Sequence, residues 1–331
     1  MSVPRRVSSL AGAVLVAVLL AAGCGTTPAE APETDPTAVQ SGYPKVIDQG
    51  GAEPVTIEAE PQRIAALSPD VAEAALELIG PERLVAVPRN LSSPSLGNHV
   101  EDAASVPEQL APGNDPDPDQ VLSYEPDLIL LTPRHEGEQD AASVLGGTGI
   151  PVLAMEHWDD LDDIAANLML LGEALDAEEQ AESLVEEMNL RRDAVADAVA
   201  DLDRPSVLAL SNQAGTPFVI GPDAFTSALI ELGGGESAAE AAGVRATGPA
   251  DPELIVSAEP DAILLVDVKG SGRDSFDAVL ENPAVADLPA MTEDRVLILP
   301  AASALATGIT HTLDGLEELA GWLHPDALDH D

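Results

Sequence analysis

Residues 117–131 read DPDQVLSYEPDLILL, and residues 251–265 read DPELIVSAEPDAILL. Nine of the fifteen positions are identical without gaps, and the copies begin 134 residues apart. Each copy reads as helix, turn and strand. Asp117 and Asp251 are good N-caps. Pro118 and Pro252 suit the first helical position, where a missing N–H costs nothing. A helix of about two turns then runs to Glu125 or Glu259. Pro126 or Pro260 stops it, and an apolar run of strand length follows. One unit written twice implies two lobes built alike.

The flanking sequence has the same grammar. Residues 63–67, 84–87, 128–131 and 152–154 read as strands, and residues 70–79 as a helix with Val71, Ala74, Ala75, Leu78 and Ile79 on one face. Strands alternating with helices indicate a parallel sheet covered on both faces. Between residues 159 and 202 turn signals almost vanish, with Gly172 and Asp176 as the one interruption. Residues 177–202 contain no Gly or Pro and keep a 3.6-residue apolar period through Ala181, Leu184, Val185, Met188, Val195, Val199 and Leu202. As one helix they would span about 39 Å. Alternation then resumes with strands at 207–210, 262–266 and 296–299 and helices at 224–232, 253–258 and 313–323. The expected fold class is α/β. Two lobes, each with a central, mostly parallel sheet flanked by helices, are joined by one long rigid helix.

The N-terminus is processing sequence. Arg5 and Arg6 precede an apolar run from Leu10 to Ala22, which is shorter than the ~20 residues a membrane span requires. A basic start, a short apolar core and small residues at its exit describe a secretory signal. The exit, Leu20-Ala21-Ala22-Gly23-Cys24, resembles a bacterial lipobox, with Ala21 where Leu is usual. That resemblance implies a diacylglycerol on Cys24, the only cysteine in the chain. A lone cysteine excludes an internal disulfide and a thiolate metal cluster. The Pro-, Thr-, Ala- and Glu-rich segment after it has too little apolar surface to fold. The expected organisation is a signal peptide at 1–23, a lipidated cysteine and disordered tether at 24–50, an N-terminal lobe at 51–158, a linking helical segment at 159–203 and a C-terminal lobe at 204–331.

The chain has 14 basic and 59 acidic residues, a net charge of −45. Residues 1–23 hold two arginines and no acid, so the remainder carries −47. This opposes nucleic acid and anionic lipid as partners and describes a solvated acidic surface of the kind suited to high salt. Enzyme signatures are missing: there is no GxSxG, no GxxxxGK[ST], no GxGxxG after a strand and no metal-ligand spacing. The expectation is a non-enzyme without cofactor. A structural envelope lipoprotein would not need two lobes with matched acidic tips.

The ordered set of PQRIAALSPDVAEAALELIG, Glu125-Pro126-Asp127, the long helix, IELGGGES and Glu259-Pro260-Asp261 resembles the substrate-binding proteins of bacterial ABC importers for ferric siderophores, haem and cobalamin, over residues 55–325. The resemblance implies a lipid-anchored monomer on the extracytoplasmic face of the cell membrane, with an ABC permease and a small-molecule iron chelate as partners. In such importers an acid at the tip of each lobe pairs with permease arginines. The matching residues are the third of each repeat, Asp119 and Glu253, where Asp119 is one methylene shorter than the usual Glu. The first helical turn favours an acid in any case, by ~0.3–1 kcal/mol.

Ligands of open parallel sheets bind beyond the carboxyl ends of the strands. Arg89, Arg134, Arg245, Lys269 and Arg273 fall in or beside those loops, a concentration of cations in an acid chain. Arginine forks suit carboxylate or phenolate oxygens. Arg89, Arg134 and Arg245 are the expected ligand contacts, with His135, Trp158 and Phe218 beside them. His99, His157 and His311 are scattered in sequence, and no metal site is expected. The chain has three Phe, two Trp and two Tyr, few faces for a large planar ligand. Cobalamin-binding relatives carry tryptophans at places corresponding to Gly113, Thr132 and Thr247. Haem relatives often use Tyr; Tyr43 falls in the tether and Tyr124 in the repeated helix. A ferric siderophore fits best, with haem and cobalamin as alternatives.

Overall fold

A computed structural model describes residues 42–50, 53–111, 115–155, 157–213 and 216–327. The signal segment, Cys24 and the first part of the tether lie outside the described residues, as does Gly113. Among the described residues thirteen strands form three sheets. The N-terminal sheet has the order β5 (Glu108–Leu110), β4 (Leu84–Pro88), β3 (Ile64–Ala66), β6 (Leu128–Leu131), β7 (Val152–Ala154), and every pairing in it is parallel. The C-terminal sheet has the order β11 (Gly248–Pro249), β9 (Phe218–Val219), β8 (Ser206–Ser211), β12 (Ala262–Asp267), β13 (Val296–Pro300), with β10 (Glu236–Ser237) also on β8. There β8, β12 and β13 are parallel, and the short β9 is antiparallel to both neighbours.

Both central strands are apolar on both faces, as a sheet covered on two sides requires. Side chains alternate between faces along a strand. Ile64, Ala66, Leu128 and Leu130 therefore enter one core while Ala65, Ile129 and Leu131 enter another. In the C-terminal sheet Ala262, Leu264 and Val266 share the first core, and Ile263 and Leu265 form a third. The first core is continuous from one sheet to the other through helices Leu161–Leu175, Glu178–Val199 and Thr312–Leu323.

The linking segment consists of two helices, Leu161–Leu175 and Glu178–Val199. Asp176 adopts a left-handed conformation (φ 60°) that ends the first helix. Gly172 lets the second fold back onto it, because a Cβ there would lie 2.6 Å from that of Ala181. The second helix, of 22 residues, is about 33 Å long. Arg191 on it holds Asp314 (2.6 Å) and Glu317 (2.8 Å) of helix Thr312–Leu323, and Arg192 holds Asp162 of the preceding helix at 2.8 Å.

The tether does not extend to residue 50. Lys45–Ile47 (β1) pairs antiparallel with Val55–Ile57 (β2), and Ile47 is fully buried. Lys45 Nζ contacts Asp176 (2.8 Å) and Glu178 (2.7 Å) at the start of the linking helix. The Tyr43 hydroxyl donates to the carbonyl of Ala174 at 2.8 Å, and burial pushes its pKa up to about 12. Tyr43 is thus part of the folded body. The composition of the preceding residues hid a short strand whose stability comes from distant partners.

The repeat is helix–turn–strand in both copies, Pro118–Ser123 then β6, and Pro252–Ala258 then β12. Asp117 caps the first through the N–H groups of Asp119 and Gln120, and Asp251 caps the second through that of Glu253. Glu125 and Glu259 both take left-handed φ, 50° and 43°. A residue before proline is disfavoured in the helical region, so the chain leaves the helix there. The third residue of Glu-Pro-Asp has its own task. Asp127 accepts from the N–H groups of Gln62 and Arg63, both at 2.8 Å, beside the start of β3. Asp261 accepts from the N–H of Ser206, the first residue of β8, also at 2.8 Å.

Candidate functional site

The carboxyl ends of the N-terminal strands carry a polar network. Ser68 and Thr132 follow β3 and β6, and the Thr132 N–H donates to Ser68 Oγ at 2.9 Å. Asp70, fully buried in the first turn of helix Pro69–Ile79, accepts from Thr132 Oγ1 at 2.7 Å and from the Arg134 guanidinium. Arg134 is therefore already partnered, and its first role is to neutralise a buried carboxylate. Its side chain is still 37% exposed, which leaves part of the fork open. His135 precedes helix Glu136–Gly146 and its Nδ1 lies 2.9 Å from Glu138. Arg89 opens a 3-10 turn directly after β4, is exposed, and makes no ion pair among the described residues.

Trp158 does not face this edge. It follows β7 but is only 1% exposed, packed in the core shared by both sheets, and its indole N–H has no hydrogen-bond partner. The large apolar ring is drawn into the interior, where aromatic burial stabilises most. It is removed from the expected ligand contacts.

In the C-terminal half the carboxyl edge is built on Asp267, the last residue of β12. Asn212, just after β8, donates to Asp267 at 2.6 Å and to Ser275 at 2.8 Å. The N–H groups of Lys269, Ser271 and Gly272 also point at the Asp267 carboxylate. Burial raises its pKa, but these donors outweigh that and hold it below the ordinary carboxylate range. The loop that follows presents Lys269, exposed, and Arg273, half-buried; neither makes an ion pair among the described residues. Phe218, half-buried, pairs with Ser211 at the end of β8, so it lies on the same edge. Arg245 is set back from it. The register places Gly248 against Val219, and Arg245 precedes Gly248 on the far side from the carboxyl edge. It lines a separate depression of about 380 Å³ with Asp223, Glu240 and Val244.

The two edges meet. Ser95 Oγ donates to the carbonyl of Val268 at 2.9 Å, and the Ala302 N–H donates to the carbonyl of Ser95 at 3.0 Å. Arg89 and Lys269 therefore sit on the two segments that close against one another. Asp119 and Glu253 are both exposed in the first turn of their helices, and neither side chain has a basic partner among the described residues. Sequence reasoning missed the Asp70–Thr132–Arg134 and Asn212–Asp267–Ser275 networks, whose members are 55 to 64 residues apart. Only Ser68-Pro69-Asp70 at a strand end hinted at the first.

Among the described residues no helix is long and apolar enough to cross a membrane. The profile of the periplasmic binding proteins matches residues 64–302. The chain is 26% identical over 326 residues to an uncharacterised ABC transporter substrate-binding lipoprotein of Bacillus subtilis, covering 96% of each. It is 27% identical over 278 residues to a cobalamin-binding protein of Halobacterium salinarum, covering 80% of this chain and 70% of that one. The periplasmic haem-binding protein RhuT of Roseiflexus superposes with a TM-score of 0.67 at 23% identity, over 81% of this chain and 99% of the other. Two sheets of this topology, a linking helix and a match spanning most of the folded body agree: the chain belongs to the periplasmic binding protein family.

Proposed function

We propose that this periplasmic binding protein is a lipid-anchored, extracytoplasmic receptor that captures a ferric siderophore or similar anionic iron chelate and delivers it to an ABC permease. The observation that carries the ligand class is the set of cations without ion-pair partners among the described residues, Arg89, Lys269 and Arg273, at the carboxyl edges of a chain of charge −45. Arg134 adds the open part of its fork, and Phe218 an aromatic face on the edge. Arg245 and His135 are peripheral to that set. Delivery rests on Asp119 and Glu253, exposed at matched positions of the repeat. Cobalamin is the second reading, favoured by the similarity to the Halobacterium protein.

Calorimetric titration with a hydroxamate and a catecholate ferric siderophore, haem and cyanocobalamin ranks the ligands. One ferric siderophore should bind best, and more weakly in Arg89→Ala. If none of the four binds below about 100 μM, or about −5.5 kcal/mol, capture of a chelate of these classes is wrong. Tightest binding of cyanocobalamin would replace the first reading with the second.

A further inference from the structure

Three potential metal ligands converge from distant parts of the chain. Glu77 lies in the last turns of helix Pro69–Ile79, His99 directly precedes helix Val100–Ser105, and His311 ends a 3-10 segment before helix Thr312–Leu323. Each offers one ligand atom, and the three atoms lie within 4.8 Å of one another. All three residues are half-buried. The imidazoles meet edge to face, with centroids 5.7 Å apart. His99 Nε2 and His311 Nδ1 are both buried, and neither has a hydrogen-bond partner among the described residues. A buried polar nitrogen without a partner is costly, and two on neighbouring rings beside a carboxylate are an arrangement that a cation resolves.

We propose that Glu77, His99 and His311 form a site for one divalent first-row transition ion, zinc in the first instance, that ties the N-terminal half of the molecule to the C-terminal half. Two imidazoles and a carboxylate are an ordinary three-residue zinc set with an open fourth position. Tetrahedral bonds of about 2.0–2.1 Å place ligand atoms about 3.4 Å apart, so the three need only draw together by rotation about their side-chain bonds. Their surroundings hold them in place. The Thr310 hydroxyl donates to Glu77. Glu73, one turn earlier on the same helix, accepts from the N–H groups of Asn98 (3.0 Å) and His99 (3.4 Å). Asn98 in turn donates to the carbonyls of Ala302 (3.0 Å) and Gly308 (3.3 Å). The Thr310 bond holds the Glu77 carboxylate from behind, as outer partners of metal sites do, and the Glu73 and Asn98 bonds fix the backbone that carries His99.

The site is independent of the chelate reading, since it uses none of the proposed chelate contacts. The test uses the full chain, stripped with chelator and titrated with zinc in excess magnesium, which occupies the exposed carboxylates. Metal analysis should find one zinc per chain, bound below about 10 μM. Cobalt in its place should give the visible spectrum of a tetrahedral nitrogen–oxygen site. His99→Ala and His311→Ala should each lower the zinc count to none, while His157→Ala keeps it at one. No stoichiometric zinc in the unaltered chain, an octahedral cobalt spectrum, or zinc retained by a His99→Ala/His311→Ala chain would each overturn the proposal. The cobalt spectrum is read on the unaltered chain, so it decides the matter even where a variant fails to fold.

Discussion

The Glu-Pro-Asp element of the repeat offers a quantitative test of what its identical residues do. In the first copy Asp127 accepts two backbone N–H groups, those of Gln62 and Arg63, each at 2.8 Å. In the second Asp261 accepts one, from the Ser206 N–H at 2.8 Å, and its own N–H donates to the Ser206 hydroxyl oxygen at 3.3 Å. A hydrogen bond to a charged group contributes about 1.5–3 kcal/mol when enclosed. Both sites are exposed, so water replaces part of each bond and about 1 kcal/mol apiece is the appropriate scale. Asp127→Ala should then cost about 2 kcal/mol and Asp261→Ala about 1 kcal/mol. For a body of this size the first corresponds to a drop in Tm of roughly 4–8 °C and the second to about half that. Urea unfolding followed by circular dichroism measures both. The reasoning fails if Asp261→Ala costs as much as Asp127→Ala, or if neither moves the midpoint. In that case the repeated aspartate is not a fastener of the neighbouring strand, and its recurrence needs another cause.

Three further outcomes follow from the same geometry. Reversing both tip charges, Asp119→Lys with Glu253→Lys, should abolish ligand uptake by whole cells while ligand affinity and Tm stay within error; unchanged uptake would remove the tips from permease docking. Arg134→Ala strands the buried Asp70 carboxylate and should destabilise by about 3 kcal/mol, whereas Arg89→Ala should leave the urea midpoint unaltered and weaken only ligand binding. The folded pKa of Asp267 is depressed, so its stabilising contribution is complete above the unfolded carboxylate pKa of about 3.9 and fades as pH falls through the folded value. The stability gap between the unaltered chain and Asp267→Asn should therefore be constant from pH 7 to about pH 5 and close in stronger acid; a gap that widens with acid would contradict the assignment.

Much of the fold was legible because its signals are local. The strands at 128–131 and 152–154 have the boundaries the apolar runs imply, and the repeated helices start at the Asp-Pro pairs that cap them. The exposed tips Asp119 and Glu253 were readable for the same reason, since an N-cap fixes the residues of the next turn. The strands Lys45–Ile47 and Phe218–Val219 were not legible. Each is two or three residues long and is held by partners elsewhere in the chain. A residue's type near a strand end does not state which way its side chain turns. Trp158 went to the core, Arg134 to Asp70 and Arg245 to the side of the sheet.

The sequence by itself determined two α/β halves, the helical link, the acidic surface and the two capped acids, because helix punctuation and apolar period act over a few residues. Only the tertiary structure decided which cations stay free and which ligating groups meet. His99 and His311 are 212 positions apart, with Glu77 further still from His311. No spacing rule connects them. They come together because helix Pro69–Ile79 packs against the segment Ala306–His311, a contact set by the burial of apolar faces, to which the histidines and the glutamate are passengers.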